Sequence, residues 1–161
     1  MFCVDSISRM ENFTMNNIWN NLWLWIPFIT WFVVQSLKVI LELIINKKLN
    51  IRRIVGSGGM PSSHSALVCS LATTLGITEG VASPIFAVSI ALAAIVMYDA
   101  SGVRRAAGKQ ARILNKIIES QGKNINVQEK LIELLGHSPF EVYVGAIVGI
   151  VTAILLVPFW N

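Results

Sequence analysis

The chain carries two histidines, and each stands where an imidazole could act on a phosphate. His64 lies in "GSGGMPSSHSALVCS" (56–70), a cluster of glycine, proline and serine at the mouth of an apolar helix. Ser62 and Ser63 are both good N-caps for that helix, with Pro61 just before them. A helix N-terminus presents unpaired N–H groups and a partial positive charge, and glycines such as Gly59 let a ligand approach the backbone. The group that fits there is an anion, phosphate above all. A histidine in the first turn can then hand a proton to a leaving oxygen. The competing reading is a polar loop, an ordinary capped helix and an interfacial histidine.

His137 lies in "LLGHSPFEVYVGAIVG" (134–149), and Glu141 follows it by four positions. Ser138 as N-cap, Pro139 at the first helical position and Glu141 three after the cap make a capping box. Glu141 could equally accept a hydrogen bond from one nitrogen of His137 and leave the other nitrogen as a nucleophile. Both histidines therefore fall at predicted helix starts beside basic loops.

The elements that must position them are membrane helices. The chain of 161 residues is 54% hydrophobic and 14% charged, whereas about a quarter of a soluble domain is charged. The predicted fold is all-α: a polytopic transmembrane bundle of about four spanning helices plus an interfacial amphipathic helix, since about 17–25 apolar residues cross a bilayer. One membrane domain covers 1–161, with a polar tail over 1–18 and a basic loop over 99–139. The predicted spans are 21–45, 65–82, 84–98 and 140–160. The second and third are individually marginal and are expected to insert as a hairpin, with small residues letting the backbones approach closely. The first seventeen residues are polar and lack the basic-then-apolar order of a secretory signal. Cys3 and Cys69 have no metal-like spacing and form no disulfide framework.

Charge falls in two blocks. Residues 46–63 hold Lys47, Lys48, Arg52 and Arg53 with no acid, and residues 99–139 hold seven basic against four acidic side chains. Four spans put both blocks on one side, and the positive-inside rule makes that side cytoplasmic. Trp19, Trp23, Trp25 and Trp160 then share the outer interface. "VRRAAGKQARILNKII" (103–118) sets Arg105, Lys109, Arg112 and Lys116 opposite an apolar stripe, the pattern of a helix lying among anionic headgroups. "VQEKLIELLG" is read as a short helix leading to His137.

"PSSHS" resembles the second motif of the type 2 phosphatidic acid phosphatase superfamily, usually Pro-Ser-Gly-His, and "LGHSPFEVYVGAIVG" resembles its third. With "GGMPSSHSA" and "YDASGVRRAAGKQA", the chain is similar over roughly residues 30–160 to the small divergent branch of that superfamily, related to acid phosphatases and vanadium haloperoxidases. The resemblance implies a helical bundle and metal-free phosphate-ester hydrolysis through a phosphohistidine. It implies that His137 is the nucleophile, that Glu141 orients it, and that His64 protonates the leaving alcohol and later helps activate water. It also implies that Ser62, Ser63 and neighbouring amides hold phosphate oxygens.

The chain departs from the familiar pattern at the cations. Ser63 replaces the glycine of the second motif, and Leu131 stands where the third motif has arginine, six residues before its histidine. No lysine before "GGMPSSH" has the arginine and proline of the first motif at the right spacing. Arg104 and Arg105 are candidate replacements, since arginine grips phosphate in a two-pronged fashion, and Asp99 could position one of them. Lys48 lies near the membrane boundary. Lys38 lies within the first span, where a charge is costly unless partnered. Gln35, Lys38 and Glu42 share a helix face, so Lys38 either contacts phosphate or pairs internally with Glu42. "DASGVRR" also faintly resembles metal-binding membrane phosphotransferases, but those hold cations with several carboxylates, and Asp99 stands almost alone. No metal and no cofactor are expected.

The expected function is hydrolysis of a lipid phosphate or diphosphate: phosphatidate, phosphatidylglycerol phosphate, or a polyprenyl phosphate or diphosphate. The expected partners are that phosphorylated lipid and anionic lipids at the basic helix, with self-association an option and no nucleic acid. The expected location is the cell membrane, with the basic loops and site facing the cytoplasm. The rival from another class is a non-catalytic binder or carrier of phosphorylated lipid. A second rival is a structural membrane subunit whose histidines point apart.

Overall fold

The computed structural model describes residues 16–47, 59–120, 131 and 136–160. Lys48 and the helix expected over "VQEKLIELLG" lie outside the described residues, apart from Leu131 and Gly136. The described residues form an all-helical bundle: α1 (Asn16–Trp19), α2 (Leu22–Asn46), α3 (Ser63–Thr78), α4 (Pro84–Ser101), α5 (Val103–Ser120) and α6 (Pro139–Leu156), closed by one 3-10 turn at Val157–Phe159.

Each boundary follows from a local signal. Asn21, Ser62, Ser83 and Ser138 cap α2, α3, α4 and α6, each side chain accepting a backbone N–H three residues on. Pro84 and Pro139 occupy first-turn positions, where proline loses no intrahelical bond. Gly102 alone separates α4 from α5. Among the described residues, three helical stretches are long and apolar enough to cross a membrane: Leu22–Ile44, Pro84–Ser120 and Pro139–Phe159.

The distribution of side chains is that of a membrane protein. Among the described residues, seven of the twelve buried hydrophobics are alanines, including Ala66, Ala72, Ala93, Ala146 and Ala153, while Phe28, Phe32, Ile95, Ile147 and Leu155 face outward. Between helices in lipid, close packing of small residues replaces the hydrophobic drive of a soluble core. The axis of the bundle is α3, which packs against α2, α4 and α6. That explains its modest hydropathy as a predicted span. Its Ser63, Ser65, Ser70 and Thr74 are buried against neighbouring helices, and Ser70 and Thr74 bond carbonyls of their own helix. The hairpin expected of the second and third spans is present as α3 and α4, joined over residues 79–83.

Gly145 and Gly149 bring α6 onto α3. A Cβ at Gly145 would collide with the Ser62 carbonyl oxygen, and one at Gly149 with that of Ala66. The spacing of four is that of a close-packing glycine pair. The α5 helix buries Gly108, Ala111 and Asn115 and leaves Val103, Ile113, Leu114 and Ile117 exposed beside its basic face. This is the surface of an amphipathic helix with one edge on protein and one apolar edge open.

Candidate active site

The start of α3 is built by its serines. Ser62 is fully buried, and its Oγ accepts the Ser65 N–H at 3.4 Å and the Ser65 hydroxyl at 3.0 Å. The Ser62 N–H donates to the Glu141 carbonyl at 3.1 Å, tying this helix start to that of α6. The Ser62 hydroxyl thus serves the fold. Ser63 is buried beside it and accepts a hydrogen bond of 3.5 Å from Lys38 Nζ. His64, next in the chain, is exposed.

His137 arrives from the other direction. Gly136 has φ +84°, and a Cβ there would strike the backbone of Arg104 and Arg105, so only glycine lets this loop lie on the α4–α5 corner. The His137 N–H then donates to the Ala100 carbonyl at 2.9 Å. Its ring is 3% exposed, with Nδ1 3.4 Å from Glu141 Oε2 but not aligned as a hydrogen bond. The same Oε2 accepts the Ser138 N–H at 2.7 Å, and Ser138 Oγ accepts the Glu141 N–H at 3.3 Å. The capping box and the histidine–carboxylate contact coexist in one side chain.

The two imidazoles converge. Their ring centroids are 6.5 Å apart, with the ring planes at 57°. Lys38 is 7% exposed and reaches this place from α2, eight residues or ~12 Å before that helix ends at Asn46. Burial, followed by the Lys38 charge, pushes the His137 pKa below its ordinary 6.5, against the pull of Glu141. His64 is lowered too, although its side chain is partly exposed: partial desolvation comes first, then Arg104 and Lys38, with Asp99 opposing. The lowered value of His137 favours the neutral ring that a nitrogen nucleophile needs.

The remaining candidates occupy distinct places. Arg104 Nε is 2.5 Å from Asp99 Oδ2, so Asp99 holds the arginine whose field reaches His64. Arg105 is exposed and meets Gly136 through its backbone. Gly59 adopts φ +86° ahead of Pro61, the conformation a glycine turn requires. Leu131 is paired with the Asn115 amide, which donates to its carbonyl at 2.9 Å and accepts its N–H at 3.1 Å. Sequence reasoning missed this pairing, the Ala100 carbonyl and the close approach at Gly145. Of these only the last left a signal, the four-residue glycine spacing.

A sequence model of the Divergent PAP2 family matches residues 19–152. The chain is 41% identical over 138 residues to a Bacillus subtilis (strain 168) protein named "Uncharacterized membrane protein YuiD", covering 78% of this chain and 87% of the relative. No solved structure shows a significant match.

Proposed function

Because the chain belongs to the Divergent PAP2 family, we propose that this integral membrane protein hydrolyses a phosphate or diphosphate monoester of a lipid through a phosphohistidine. The observation that carries the proposal is the convergence of His64 and His137, with ring centroids 6.5 Å apart, beside the buried Lys38 and Ser63. In the first step the free nitrogen of His137 attacks phosphorus while the bond to the lipid oxygen breaks and His64 supplies the proton that oxygen takes up. In the second, water attacks the phosphohistidine, His64 removes its proton, and inorganic phosphate leaves. Glu141, beside Nδ1, stabilises the positive charge that develops on the His137 ring.

Lys38 supplies a fixed positive charge in a poorly solvated place, where it acts strongly on phosphate oxygens. The Arg104–Asp99 pair offers a further donor near His64. Phosphatidate, phosphatidylglycerol phosphate and polyprenyl phosphates or diphosphates all present such a group at headgroup level, and the basic α5 helix gathers anionic lipid around it. The site and both basic blocks face the cytoplasm in this reading.

A second reading, a binder or carrier of phosphorylated lipid without turnover, is favoured by one observation. Arg104 is already engaged by Asp99, so the cationic set beside the histidines is thin. The discriminating experiment is phosphate release by the detergent-solubilised protein across a panel of lipid phosphates with EDTA present. Release that survives EDTA and vanishes in His137→Ala supports the phosphatase. Saturable lipid-phosphate binding without release supports the carrier.

A further inference from the structure

An apolar groove of about 500 Å³ opens beside the candidate site between α4 and α6. Both helices pack on α3, and the groove lies over the surface of α3 between them. Ile90, Ala94, Met97 and Ser101 line it from α4 at spacings of four, three and four, one continuous helix face. Cys69 of α3 forms its floor, with Sγ 3.6 Å from Met97 Sδ, and Val142 of α6 forms the facing wall. Ile90 and Ala94 are exposed, so the groove faces the hydrocarbon surrounding the bundle.

Its two ends differ in chemistry. The upper end is bounded by Ser101 and Pro139. Ser101 adjoins Ala100, whose carbonyl holds the His137 N–H, and Pro139 is two residues from His137 itself. From Ser101 the groove descends eleven residues along α4 to Ile90, or ~16 Å. A ligand that fills both parts carries phosphate at one end and a hydrocarbon chain at the other.

We propose that this groove holds one hydrocarbon chain of the lipid phosphate, entering sideways from the bilayer with its phosphate delivered to His137. The assignment rests on the phosphatase reading only for the fate of the phosphate; the chain site stands on the groove itself. Ala94→Trp fills the groove from an exposed position, so it leaves the buried packing of α4 untouched. Ala91→Trp, at an exposed position that does not line the groove, is the control.

Two assays on the full-length protein in detergent test the proposal. In the first, hydrolysis of hexadecyl phosphate is compared with that of butyl phosphate, which is too short to fill the groove. Ala94→Trp is expected to lower kcat/KM for the long chain by about tenfold or more and to spare the short one, with Ala91→Trp matching wild type. An equal fall for both chains, or no fall for the long one, overturns the proposal. In the second, hexadecyl phosphate carrying a terminal diazirine is photocrosslinked and the adducts are mapped. Adducts around Ile90, Ala94 and Cys69 support the groove, and adducts confined to the outer face of α2 or α6 overturn it. Groove adducts without hydrolysis of either phosphate by wild type remove the phosphatase reading and leave the chain site standing.

Discussion

Glu141 Oε2 lies 3.4 Å from His137 Nδ1 while accepting the Ser138 N–H at 2.7 Å. The carboxylate is fixed by the helix end, and the His137 backbone is fixed by its bond to Ala100. The orientation of a buried histidine is thereby built from two ordinary local devices, a capping box and a glycine-led loop. The cap and the histidine–carboxylate contact are not alternatives, because the oxygen that closes the capping box also lies against Nδ1.

Glu141→Gln separates the two roles. Glutamine still closes a capping box, so thermal stability is expected to stay near wild type. The negative charge facing Nδ1 disappears, and kcat is expected to fall about a hundredfold or more, as when a histidine loses its carboxylate partner in a hydrolase triad. Glu141→Ala loses the cap as well, at about 1 kcal/mol. Thermal melts and initial rates on the same preparations check both; a Gln variant with wild-type kcat would reduce Glu141 to a cap.

Gly145→Ala forces a methyl group against the Ser62 carbonyl, and Gly149→Ala forces one against Ala66. Overpacking of this kind costs about 1–3 kcal/mol, so both variants are expected to melt at lower temperature. Only Gly145→Ala displaces the Ser62–Glu141 backbone bond beside the site, and it is expected to lose more activity than Gly149→Ala at matched stability. Melting temperature and phosphate release, measured in one detergent, distinguish them.

The bundle is legible in the sequence because capping and apolar length are local properties. Ser62, Ser138, Pro84 and Pro139 mark helix starts within a few residues, and α2, α4 and α6 declare themselves by length. The centrality of α3 is less legible. A helix buried by protein on several sides needs small and hydroxyl residues, which read as a weak membrane span. The contact of Lys38 with Ser63 depends on the relative rotation of two helices, and the seat of Gly136 on the Arg104–Arg105 backbone depends on the whole chain path. Neither is a pattern along the sequence.

The pH response follows from the two lowered imidazole pKa values. Burial is the largest cause for both His137 and His64, so the folded state holds each below the ordinary ~6.5. Between the folded and unfolded values the unfolded chain binds more protons. Stability from this source is complete above about pH 6.5 and is lost as pH falls through the window. For activity, His137 stays neutral to below pH 6.5, while His64 carries its proton only on the acidic side. The expected kcat/KM profile declines as pH rises through the lowered His64 value, below the ordinary ~6.5, and His64→Ala removes that decline. A profile that keeps rising to pH 8 would contradict His64 as the acid.

Lys38 is buried within the first membrane helix and bonded to Ser63 at 3.5 Å. A charge in such a place is costly, so a purely structural lysine would be replaced by methionine with little consequence for chemistry. If Lys38 instead holds phosphate, Lys38→Met removes a desolvation cost and a ligand together. The expected result is an unchanged or higher melting temperature with kcat/KM reduced at least about tenfold, the stability–function trade of a site residue. Saturable phosphate-lipid binding is expected to weaken in parallel, since the same charge serves the ground state. A variant that melts earlier yet keeps its kcat/KM would make the Lys38–Ser63 bond a helix tie and leave the Arg104–Asp99 pair as the cation source.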